Sequence, residues 1–128
     1  MVKNTLVEVD IIDGRKILEM LDKTDLNISC AFWYYLTDIE EWRLIFSTIN
    51  IETDGPKKTY GKIQKVLNKS KEKFSIPLEA ITLISPKHQL IGLLKMFINT
   101  GPGISGARLT GNIINGILIK DAYIYRIN

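Results

Sequence analysis

The order of apolar patterns along the chain predicts an α+β fold. We expect a single compact domain over residues 1–128, with a mostly antiparallel sheet of about five strands and about three helices, in the order α-β-β-α-β-α-β-β. Three observations predict it. Stretches of helical spacing are interleaved with short aromatic or β-branched runs. The strand-type runs arrive as two hairpins and one single strand, which favours antiparallel pairing with helices packed on one face. The 128 residues, 45% of them hydrophobic, are enough for one core without staples, at about 6,900 Å² of folded surface by size scaling.

The elements follow in order. Asp10 reads as a helix N-cap for Ile11 to about Lys23, because its carboxylate can accept an orphan backbone N–H. Ile11, Ile17, Leu18 and Leu21 form the apolar stripe, while Gly14 weakens it, since glycine costs about 1 kcal/mol in a helix interior. Residues 28–36, ISCAFWYYL, are aromatic-rich and bounded by polar residues, as a buried strand is. Thr37 to Glu41 form a polar break, and Trp42 to Ile49 alternate as a second strand. A single helix from Ala31 to Phe46 also fits the spacing of Phe32, Tyr35, Ile39, Trp42 and Phe46, but the hairpin is the preferred reading.

Asp54-Gly55-Pro56 is turn punctuation, and Pro56 suits a first helical turn, where its missing N–H would be unpaired anyway. That helix runs to about Glu72 and buries Tyr60, Ile63, Val66, Leu67 and Ser70. Ile76-Pro77 closes the region, and Ile81 to Ile84 is a short strand. Ser85-Pro86 reads as N-cap and first residue of a helix with Leu90, Ile91, Leu94, Phe97 and Ile98 on its apolar side. Thr100 to Gly106 is loop. Ala107 to Ile127 is strand, folded back at Asn115-Gly116, since both residues tolerate positive φ.

The net charge of +3 hides a division: residues 1–56 carry −6 and residues 57–128 carry +9. Such asymmetry marks a nucleic-acid or membrane surface, or complementary faces of an oligomer, unless the two halves mix on the folded surface. Lys58, Lys62, Lys65, Lys69 and Lys73 recur at spacings of four, three, four and four, which places five ammonium groups on one helical stripe. An anionic partner such as a phosphate backbone would relieve their repulsion, and the absence of arginine points to salt-sensitive binding with little base readout. The competing reading is a solvated face whose lysine stems cover the edge of the core.

Gly101-Pro102-Gly103-Ile104-Ser105-Gly106 matches G-x-G-x-x-G, but a helix precedes it and a strand follows, the reverse of the dinucleotide context. No cofactor is expected. The loop could instead hold an anion through backbone N–H groups together with Arg108. One cysteine and one histidine exclude a conventional zinc site, and no metal is expected. Cys30, inside an apolar run, reads as an inert core thiol. His88 is the one imidazole, and a phosphoesterase or ribonuclease-toxin site would need it beside Arg108, Tyr123, Tyr125 or Arg126. Asp38, Glu40 and Glu41 sit at a hairpin tip, where carboxylates are usually solvated. If Phe32 and Tyr34 face the core, strand alternation turns Trp33 and Tyr35 the other way, and with Trp42 they would form an aromatic partner surface.

The uncharged stretch Met96–Ala107 falls far short of the roughly 20 apolar residues a spanning helix needs, and no secretory core is visible. The sequence therefore predicts a small cytoplasmic binding or regulatory protein without membrane insertion and without a coherent catalytic constellation. Its expected partner is another protein, or a second copy. Nucleic acid on the lysine stripe is the alternative, and a small phosphoesterase using His88 is the second alternative.

Overall fold

A computed structural model describes residues 3–128. The sheet has five strands in the order β3-β2-β1-β5-β4. β1 (Ile28–Leu36) and β2 (Glu41–Thr48) form an antiparallel hairpin. β4 (Ala107–Ile114) and β5 (Ile117–Ile127) form a second one. β5 pairs antiparallel with β1, and β3 (Ile81–Ile84) pairs parallel with β2. The fold is α+β in the expected element order, with a mixed sheet in which one pairing is parallel. The polar break at 37–40 turns the chain back, so residues 31–46 are a hairpin and not a helix. The second hairpin turns at Asn115-Gly116, both at positive φ (52° and 79°).

Two layers cover the sheet. On one face, α1 (Glu8–Asp22) contributes Ile17, Leu18 and Leu21, and α3 (Pro56–Lys69) contributes Ile63. They pack on Ala31, Trp33, Leu44, Phe46 and Tyr125. The other face gathers Cys30, Phe32, Ile45, Leu109, Ala122 and Ile124 with Ile91, Leu93 and Leu94 of α4 (Gln89–Lys95). The helices thus occupy both faces, where the sequence suggested one. The central strands carry apolar side chains on both sides and need cover on both.

Several boundaries differ from the sequence reading. α1 begins at Glu8 with Val7 as N-cap; Asp10 sits at the third helical position and accepts the Val7 N–H at 3.1 Å from there. Its carboxylate also binds Lys3 Nζ at 2.8 Å and the Ser75 hydroxyl at 3.0 Å, which draws the chain ahead of α1 and the segment after α3 onto the helix start. α3 ends at Lys69, where Ser70 turns to extended backbone. A one-turn helix, α2 (Asn50–Thr53), lies between β2 and α3, giving four helices among the described residues plus a 3-10 turn at Leu78–Ala80. α4 starts at Gln89, not at Ser85-Pro86, because the ring of His88 supplies the cap: its Nδ1 accepts the Leu90 N–H at 3.1 Å.

Gly14 has a packing role. The Tyr125 hydroxyl donates to the Ile11 carbonyl at 2.5 Å and accepts the Trp33 indole N–H at 3.0 Å. That hydroxyl lies against Gly14, where a Cβ would collide with it and come within 2.9 Å of Trp33 Nε1. The glycine that weakens the helix locally is what lets α1 close on the sheet.

Candidate interaction surfaces

The structure divides the lysine stripe. Lys57, Lys58, Lys62 and Lys65 line an open groove of about 600 Å³ along the first turns of α3, together with Asp54, Gly55, Pro56 and Gly61. Lys62 is committed to Asp25 at 3.4 Å and Asp54 at 3.6 Å. The amide of Asn50 and the charges of Lys62 and Lys58 hold the Asp54 carboxyl below its usual range, against some desolvation. Lys58, Lys65 and Lys69 are exposed. Lys73 lies beyond the end of α3, so the helix carries four of the five stripe lysines.

The aromatic surface is also rearranged. Trp33 is fully buried and its N–H is spent on Tyr125, which removes it as a surface anchor. Trp42 is 5% exposed. It contacts Tyr35 with ring centroids 5.5 Å apart, and the Arg108 guanidinium lies 5.5 Å from its centroid. Large rings on this face end up inside because α1 and α3 cover it. Only Tyr35 stays half-buried, with Lys120 Nζ 5.3 Å from its ring centre. A groove of about 470 Å³ opens beside these rings, lined by Tyr35, Trp42, Thr110, Gly111, Lys120 and Asp121.

Arg108 therefore stands with the aromatics and not with the lysines. It forms a bidentate pair with Asp121, both contacts at 2.7 Å, and that bonding strengthens its hold on its proton. Its charge is matched by Asp121. The glycine-rich loop straps β5: Thr100 N–H donates to Ile127 O at 2.9 Å, Ser105 N–H donates to Tyr125 O at 2.7 Å, and Gly103 O accepts from Arg126 Nε at 3.2 Å. The Arg108–Asp121 partnership had a signal in the sequence. A two-residue turn at 115–116 sets Arg108 opposite Tyr123 and Thr110 opposite Asp121, which brings the two charges to neighbouring positions on one face.

A third surface lies at the free end of the hairpins. Ile113 and Leu118 are a cross-strand pair, 72% and 54% exposed. Ile117 and Ile39 are exposed beside a groove of about 380 Å³ that Tyr34, Tyr35 and Leu36 also line. The adjoining strand β4 is an outer strand of the sheet, and no charged residue occurs from Leu109 to Ile119. The pattern of exposed isoleucines is readable in the sequence only after the edge position of β4 is known.

The catalytic alternatives are not assembled. His88 heads α4, whose apolar side chains join one layer, while Arg108 and Tyr123 belong to the opposite face, and Arg126 is bound to Asp22 at 2.7 and 2.9 Å. Glu41 pairs with Arg43 at 3.0 Å, and Asp38 and Glu40 are exposed. Cys30 is buried. Among the described residues no group of three or more metal-ligating side chains gathers, and no helix is long and apolar enough to cross a membrane. The acidic and basic halves of the chain mix: Lys16–Glu72, Lys62–Asp25 and Arg126–Asp22 each join one half to the other. Comparison of the chain with protein-family models, with curated proteins and with solved structures finds no match.

Proposed function

We propose that the chain is a non-enzymatic binding module that meets another polypeptide along β4 and the adjoining hairpin tips. The observation that carries this reading is the Ile113–Leu118 pair, exposed beside an uncharged outer strand. Natural sheets blunt outer strands with charge, proline or a covering element, because unpaired N–H and C=O groups recruit further strands. An extended segment added there would gain main-chain hydrogen bonds and bury the isoleucines. The test is selection from a library of extended peptides displayed on phage, run in parallel on the native chain and on Ile113→Lys/Leu118→Lys. Peptides that bind the native chain and lose the variant support the reading; an unenriched library refutes it.

The groove of four lysines on α3 favours a second reading, a phosphate-backbone contact. Its test is fluorescence anisotropy with labelled single-stranded RNA and duplex DNA over a salt series. Binding that weakens steeply with salt, and disappears in Lys57→Gln/Lys58→Gln/Lys62→Gln/Lys65→Gln, supports it; no binding at low salt ends it.

A further inference from the structure

We infer that the strand added to β4 is β4 of a second copy, in an antiparallel pair that joins two five-stranded sheets into one of ten strands. The inference rests on the edge reading above and adds the identity of the partner. The two edges of the sheet are treated differently. β3 has four residues and is bracketed by Pro77 and Pro86, so it offers little to pair with. β4 has eight residues and contains no proline. Head-to-tail growth of β4 onto β3 of the next copy therefore lacks a mate of matching length, and the arrangement that satisfies β4 is closed and two-fold.

The strand also suits itself. An antiparallel pair about a two-fold axis repeats the same donor and acceptor pattern from both sides. Full overlap of Ala107–Ile114 places Arg108 of one copy across from Ile113 of the other; Gly111, at φ 64°, resets the alternation between Leu109 and Ile114, so both side chains lie on one face. The first carbons of the arginine stem then meet the isoleucine, twice per dimer, while the guanidinium stays turned inward on Asp121 and Trp42. No like charges meet, because Arg108 is the single charged residue of β4 and its charge is already matched by Asp121. A single copy is 14.6 kDa, so pairing doubles a mass that sedimentation reads directly.

The experiment is sedimentation equilibrium on the full chain from low to high micromolar concentration, with hydrogen exchange read at both extremes. The expected result is a mass rising to that of a dimer, β4 amides that gain protection with concentration, and an Ile113→Lys variant that stays monomeric with an unchanged circular dichroism spectrum. A dimer that persists in Ile113→Lys, or one whose β4 amides exchange as fast as in the monomer, overturns the inference. If the variant unfolds, the exchange pattern of the native chain decides alone. A native chain that remains monomeric yet binds extended peptides overturns the second-copy partner and spares the edge reading; a monomer that binds none removes both.

Discussion

Replacing Gly14 by alanine sets two physical effects against each other. On an isolated helix the change is favourable by about 1 kcal/mol, because alanine restricts the unfolded chain and suits the helix interior. In the folded protein the new methyl meets the Tyr125 hydroxyl and the Trp33 indole nitrogen, which are held in place by their bonds to each other and to Ile11 O. Overpacking costs about 1–3 kcal/mol. Each buried donor pulled off its acceptor adds about 1–3 kcal/mol more. With one donor displaced, the net expectation is a loss of about 1–5 kcal/mol. For 128 residues the unfolding entropy is about 0.27 kcal/mol/K, so Tm should fall by about 4–19 °C. Thermal and urea unfolding of Gly14→Ala measure it. Tyr125→Phe removes the oxygen the methyl meets, so the double variant should lose less than the sum of the two single ones. An unchanged or higher Tm in Gly14→Ala, or strict additivity in the double variant, would refute the packing argument.

Other outcomes follow from the same contacts. Burial pushes the Tyr125 phenol well above the ordinary tyrosine range, with the Trp33 hydrogen bond opposing in part. The unfolded chain gives up this proton near the usual pKa of about 10 and the folded chain keeps it, so the contribution is intact below that pH and is lost as pH rises above it, by up to about 1.4 kcal/mol per pH unit. Urea midpoints between pH 8 and 11 should fall in the native chain and fall less in Tyr125→Phe; equal slopes would remove Tyr125 as the cause. Arg126 is 6% exposed and shares its guanidinium among Asp22, Ile28 O and Gly103 O. Asp22→Ala should cost about 1–2 kcal/mol in urea unfolding, because the backbone acceptors remain and Asp22 is partly solvated. A loss within a few tenths would mean that the carbonyls alone hold the arginine.

Strand positions were legible where composition and punctuation agreed. ISCAFWYYL and ITLI are strands over the ranges expected, and the Asn115-Gly116 turn sets the register of the last hairpin. Helix starts were less legible, because the groups that cap them depend on distant chain. Asp10 is drawn inside α1 by Lys3 and Ser75, and the start of α4 rests on a histidine ring. The candidate surfaces were legible as residue types and not as places. Trp33, Trp42 and Arg108 have the chemistry of a surface site, but layer packing buries the first two and Asp121 occupies the third. Whether an aromatic on a strand is inside or outside depends on which helices cover its face, and strand alternation does not carry that information. The open edge at β4 was invisible for the same reason, since strand order is a property of the whole sheet.

The place of β5 bears on how the molecule is made. It enters the sheet between β1 and β4, and its Tyr125 reaches Trp33 from 92 residues away. As the polypeptide emerges from the ribosome, α1 and the first hairpin appear long before the strand that completes them. Until then Gly14 faces no hydroxyl, the indole N–H lacks the tyrosine acceptor it has in the folded protein, and one side of β1 is open. Neither early nor middle portions of the nascent chain can reach the finished core by themselves. The fold closes as a late, long-range event, with the slow kinetics that non-local pairing imposes, and in the meantime β1 is the strand most in need of shelter.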